Sequence, residues 1–146
     1  MTYKTEFPDF PDSDMPTMPE GFEDTSWHND ACPSMESNSL QWRIWADYID
    51  VSQREFSQGH RFIILSLEDD SGEPLLETDD WNEVLAHIAR ERAIQDAGIH
   101  VIEDHSPRGP MFHVMRGDHR IGIAYCRSDI DQIRERALNP APKKEA

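Results

Sequence analysis

Met111–Cys126 reads MFHVMRGDHRIGIAYC, two apolar arms around Gly117-Asp118. How those arms pair decides what kind of fold the chain can adopt. A two-residue turn that begins with glycine suits a type II′ hairpin. That register pairs Val114 with Ile121 and Phe112 with Ile123, and gathers Phe112, Val114, Ile121, Ile123 and Tyr125 on one face. The other face receives Met111, His113 and Met115 against Arg120, Gly122 and Ala124. The first set is the expected core, because a slip of one residue would turn every side chain over. Cys126 falls on the side of Gly122 and Ala124, where a small packed thiol is expected.

Towards the C-terminus, Ser128 is the expected cap of a helix with Ile130, Ile133 and Ala137 aligned and Leu138 beside them. Asn139-Pro140 stops it. Towards the N-terminus, DHSPRGP (104–110) is expected as a loop and Ile99–Glu103 as a short strand. Before that strand lies the clearest helix signal. Asp79 or Asp80 caps it, Asp80 and Glu83 have capping-box spacing, and Trp81, Val84, Leu85 and Ile88 share a face. Gly98 follows, where a left-handed residue closes a helix.

Further upstream, Pro74–Glu77 begins a returning strand after the turn DDSGEP, and Arg61–Glu68 (RFIILSLE) is apolar enough for a central strand. Residues 51–59, VSQREFSQG, read as a polar connector. Leu40, Trp42, Ile44, Ala46 and Tyr48 alternate with their neighbours at the period of a strand. The expected fold class is therefore α+β: an antiparallel sheet with two helices packed on one face, in the order βββα-βββα. A duplicated unit would give that order. Identity between the halves is poor, however, and convergent α+β grammar explains it as well.

Residues 1–39 differ in kind. They hold nine acidic residues against Lys4, a net −8, together with five of the ten prolines. Such a composition offers little apolar surface to offset backbone ordering, so a flexible acidic segment is expected. Phe7, Phe10, Met15, Met18, Phe22 and Trp27 are spaced through it, as in segments that dock on a partner or on their own domain. The expected organisation is a flexible segment at 1–39, a single α+β domain at 40–139 and a frayed tail at 140–146.

Across 146 residues, 29 Asp and Glu face 14 Lys and Arg, a net −15. Charge on that scale disfavours direct contact with nucleic acid or anionic lipid and attracts a basic protein partner. Eleven arginines against three lysines hint at GC-rich coding, hence a bacterial or phage source. The start MTYKTEFPDF lacks an apolar core for a signal peptide, and no window approaches a membrane span, so the cytoplasm is the default expectation. Cys32 and Cys126 form neither a CxxC pair nor a disulfide pattern.

Two residue groups could carry function. The first is the acidic run Glu68, Asp69, Asp70, Glu73, Glu77, Asp79, Asp80 and Glu83, which has no basic residue within it. A helix start accounts for Asp79, Asp80 and Glu83, but not for the acids at the turn. As a calcium loop the run fails, because its glycine is misplaced and Pro74 intrudes. The second group is His100, His105, His113 and His119 with Asp104 and Asp118 nearby. Imidazole and carboxylate together suit a divalent metal or acid–base work, and His105 is expected to reach towards His113. No HExxH, HxH, GxSxG, P-loop or GxGxxG fixes a geometry, so no metal or cofactor is expected.

The leading expectation is a non-enzymatic acidic protein-binding module. It would be an immunity-like, antitoxin-like or phage-type inhibitor covering a basic, nucleic-acid-binding site on a partner. Its binding residues would be the eight acids of 68–83 with Phe7, Phe10, Phe22 and Trp27. A small metal-dependent hydrolase built on the His/Asp cluster is one alternative. A regulatory module binding a small ligand is another.

Overall fold

The computed structural model describes residues 2–140. By its contacts the chain divides into two compact units, Met1–Ile88 and Ala89–Ala146. Both are α+β and both sheets are antiparallel.

In the first unit, β1 (Glu23–Asp24), β2 (Ser34–Ser37), β3 (Trp42–Ala46), β4 (Phe62–Ser66) and β5 (Leu76–Thr78) form a five-stranded meander. A short helix α1 (Tyr3–Glu6) precedes them. The alternation in β3 works as its sequence implies: Trp42, Ile44 and Ala46 are buried and their neighbours are not. They pair across the sheet with Ser66, Ile64 and Phe62 of β4, and Ile44 also pairs with Met35 of β2. Helix α2 (Trp81–Asp96) contributes Val84 and Ile88 to this core, whereas Leu85 remains 40% exposed. Asp80 caps α2 by accepting the Asn82 N–H at 2.9 Å. Gly98 follows α2 at φ +71°, the left-handed closure its position implies.

Residues 1–39 are not a flexible appendage. They supply β1 and β2, and Phe10, Phe22, Cys32 and Met35 are buried. Phe22 and Met35 belong to the same apolar cluster as β3 and β4, with Met15 and Met18 packed against it. The acids that argued for disorder hold this segment in place. The buried Asp14 carboxylate accepts the Ile49 N–H at 2.9 Å, and its carbonyl accepts from the Arg61 guanidinium. Asp24 likewise accepts the Tyr3 N–H at 2.7 Å. The boundary expected near residue 40 therefore runs through one sheet, between β2 and β3. The expected frayed tail lies, beyond Pro140, outside the described residues.

The second unit contains β6 (Ile99–Ser106), β7 (Gly109–Arg116) and β8 (His119–Ala124), in that order, followed by α3 (Arg127–Leu138). The loop expected at 104–110 is a hairpin, with the strands paired out to Ser106 and Gly109. Ile130, Ile133, Ala137 and Leu138 of α3 pack on Ile94, Ile99 and Val114. Cys126, not Ser128, stands at the N-cap of α3, and it is exposed instead of packed.

The β7–β8 register differs from the expected one. Arg116 pairs with His119 and Met115 with Arg120, as a two-residue turn demands. A bulge then follows, so that Val114 meets Gly122 and Phe112 meets Ala124. A bulge places one extra residue on one strand and reverses its later alternation. Here it turns Gly122 and Ala124 towards α3 and leaves Ile121 and Ile123 on the opposite face, 37% and 38% exposed. The helix needs those small residues. A Cβ added at Gly122 would lie 2.8 Å from both Cδ1 and Cγ2 of Ile133.

Candidate functional site

The acidic run extends from the end of β4 to the first turn of α2, with β5 at the edge of the five-stranded sheet. Three of its eight carboxylates have backbone roles. Asp69 accepts the Ser71 N–H at 2.9 Å in the turn, and Asp80 caps α2. Asp79 accepts the Arg61 N–H at 2.8 Å and lies 3.6 Å from the His60 ring. Those contacts, the Arg61 N–H foremost, hold its carboxyl below the usual range. Glu68, Asp70, Glu73, Glu77 and Glu83 are exposed. Among the described residues no cation pairs with any of the five.

The aromatic anchors expected in residues 1–39 are mostly not available to a partner. Phe10 and Phe22 are 4% and 6% exposed and belong to the interior, and Phe7 is half-buried. Phe10 packs against Tyr48, with ring centroids 4.7 Å apart and the planes tilted by 56°. Only Trp27 is open, at 43%, with its ring 4.4 Å from that of His28.

Exposed apolar side chains appear instead on the segment expected to be a polar connector. Residues 47–61 join β3 to β4, adjacent antiparallel strands that two residues could link. Within this loop Ile49, Val51 and Phe56 are 54%, 46% and 72% exposed. Arg54 holds its limbs together, donating to the carbonyls of Tyr48 at 2.6 Å, Gly59 at 3.0 Å and Ile49 at 3.4 Å. Asp50 accepts the Ser52 N–H at 3.0 Å, and Phe56 O accepts the Gly59 N–H at 3.0 Å. Side chains on a tied loop lose less freedom on binding than those on a mobile one. Burial foremost holds the Asp47 carboxyl above its usual range, against the lowering effect of its bond to the Tyr48 N–H and of Arg54. A phenylalanine inside an over-long loop was the available sequence signal.

The histidines do not assemble as the hydrolase reading requires. Ile102 pairs with His113, whereas His105 pairs with Pro110, so the alternation of β6 sends His105 to the face opposite His113. His105 touches Asp104 only through its backbone N–H, at 2.8 Å. The His113 ring lies 3.4 Å from Asp104. His113 and His119 line one open hollow of about 540 Å³ with Ile102, Met115 and Arg120. Among the described residues no three His, Cys, Asp or Glu side chains converge as metal ligands. Burial, then Asp47, pushes the Cys32 thiol up to about 12, which opposes thiolate chemistry there. No described helix is long and apolar enough to cross a membrane.

Charge divides at the unit boundary. Residues 1–88 carry 20 Asp and Glu against 4 Lys and Arg, a net −16, and residues 89–146 carry 9 against 10, a net +1. No protein-family model, no curated protein and no solved structure matches the chain.

Proposed function

We propose that this chain is a non-enzymatic protein-binding module whose acidic unit covers a basic, nucleic-acid-binding surface of a partner protein. The setting would be that of an immunity-like, antitoxin-like or phage-type inhibitor. The segregation of charge supports this reading: the whole acidic excess lies in residues 1–88. A field of one sign over one unit speeds encounter with a cationic surface and is screened by salt. The five exposed, unpaired carboxylates of 68–83 would supply the complement to that surface. Ile49, Val51 and Phe56 replace Phe10 and Phe22 as the apolar anchors that slow dissociation.

Copurification from the host with the full chain as bait, followed by mass spectrometry, identifies the partner. Its affinity is then measured from low to high ionic strength and against its own nucleic acid. The expected results are a steep loss of affinity with salt and mutual exclusion of chain and nucleic acid. Affinity indifferent to salt, or a ternary complex with nucleic acid, overturns the proposal.

A further inference from the structure

In most one-sided sheets the large apolar residues face the covering helix and small or polar residues face water. Strand β8 does the reverse. Gly122 and Ala124 lie under α3, while Ile121 and Ile123 point away from it. Across its middle the open face carries Ile102 and Ile123 on either side of His113, since Ile102 pairs with His113 and His113 with Ile123. Ile102 is 48% exposed. Two further rungs flank that one. Towards one end lie His100, Met115 and Arg120, and towards the other lie Asp104 and Met111. One face thus carries a cation at one end, an anion at the other and Ile102, His113 and Ile123 between, within a unit whose net charge is only +1.

A face with both signs at opposite ends is complementary to itself when its direction is reversed. A two-fold axis in the plane of contact and across the strands makes that reversal. It lays the Ile102–His113–Ile123 rung on its own copy and sets Asp104 against His100 of the second chain, with Arg120 at the same end two strands away. An isologous contact requires one patch to serve as both partners. A uniformly basic or acidic partner would match only one end. We propose that the open face of the β6–β7–β8 sheet is the contact between two copies of this chain, stacked with their strands reversed. The inference does not rest on the acidic unit or on any other partner.

The test is the solution mass of the full chain by sedimentation equilibrium, from low micromolar to several hundred micromolar concentration. The wild type should move from the chain mass towards twice that value. Ile123→Asp should remain a monomer with an unchanged circular dichroism spectrum, since the side chain is outside the core. His100→Asp should weaken the dimer by about tenfold or more, because it sets two carboxylates against each other at each end of the contact. Adding Asp104→Arg to His100→Asp should restore the dimer. A wild type that stays monomeric at every concentration, or a dimer indifferent to Ile123→Asp, overturns the proposal. Failure of the double charge reversal to restore the dimer rules out the reversed-strand stacking.

Discussion

Gly122→Ala separates the bulged hairpin from the regular one by the sign of a stability change. Gly122 has no positive φ, so alanine suits its backbone. On an open sheet face the change should be neutral, or stabilising by about 0.4–1 kcal/mol through loss of unfolded-state freedom. Beneath α3 the new methyl would meet Ile133 Cδ1 and Cγ2 at 2.8 Å and Cγ1 at 3.2 Å. The closer contacts fall about 1 Å short of an ordinary carbon–carbon separation. Cγ2 and Cγ1 are both carried on Cβ, and a β-branched residue in a helix has one strongly preferred χ1, so Ile133 cannot simply swing aside. The helix must shift, at a cost of about 1–3 kcal/mol, as in other overpacked interiors. A domain of this size loses about 4–8 °C in Tm for each kcal/mol.

All four tryptophans lie in residues 1–88, so tryptophan fluorescence does not report on this hairpin. Amide exchange in peptides covering 99–138 does, and urea unfolding followed by circular dichroism gives the midpoint. Ile133→Ala removes the obstacle. The double variant should therefore be less destabilised than the two single changes together, by about 1 kcal/mol or more. A Gly122→Ala chain as stable as the wild type, with unchanged exchange over 99–138, would refute the bulged register and the argument for the open face with it.

Two further outcomes follow from burial. A chain of residues 40–146 lacks β1 and β2 and loses Phe10, Phe22 and Met35 from the interior. Those three side chains together contribute about 5–9 kcal/mol of apolar burial, comparable with the whole stability of a small domain. Its tryptophan emission should resemble that of unfolded protein, and a native emission maximum with a cooperative melt would disprove the role given to residues 1–39. In thiol titration with a chromogenic disulfide reagent, Cys126 should react promptly and Cys32 only after denaturation, because Cys32 is buried and its thiol pushed up to about 12. Cys126→Ser should abolish the prompt phase. Two prompt thiols in the native wild type would contradict that burial.

Where apolar spacing matched one period, the sequence was enough. The buried alternation of Trp42, Ile44 and Ala46, the Asp80 cap, the Gly98 closure and the Ile130–Ile133–Ala137 stripe were all legible. Residues 1–39 were not, because their core side chains follow neither a helical nor a strand period and are separated by prolines. Their carboxylates looked like solvating charge, yet Asp14 and Asp24 are acceptors for distant backbone N–H groups, which no local pattern reveals. In β8 the large residues and the small ones alternate equally well in either register. Hydrophobicity favoured burying Ile121 and Ile123, but the close approach of Ile133 decides for Gly122 and Ala124. The acidic run was visible from composition, while the loop bearing Phe56 was masked by its polar neighbours.

The two proposals reinforce one another through valency. Residues 1–88 hold the acidic excess and residues 89–146 hold the open sheet face, so the two proposed contacts use different residues. A dimer would present two acidic units to a partner that is itself a symmetric oligomer or carries two basic sites. Tethering then makes the second binding event intramolecular, with gains of about 10²–10⁴ in avidity where the geometry allows both contacts. Ile123→Asp therefore has a second readout. Against a partner with one basic site its affinity should equal that of the wild type. Against a two-site partner it should fall towards the single-site value, and its salt dependence should fall to that of a single contact. A fall in single-site affinity would mean that the sheet face contacts the partner directly, and dimerisation would then not account for the loss.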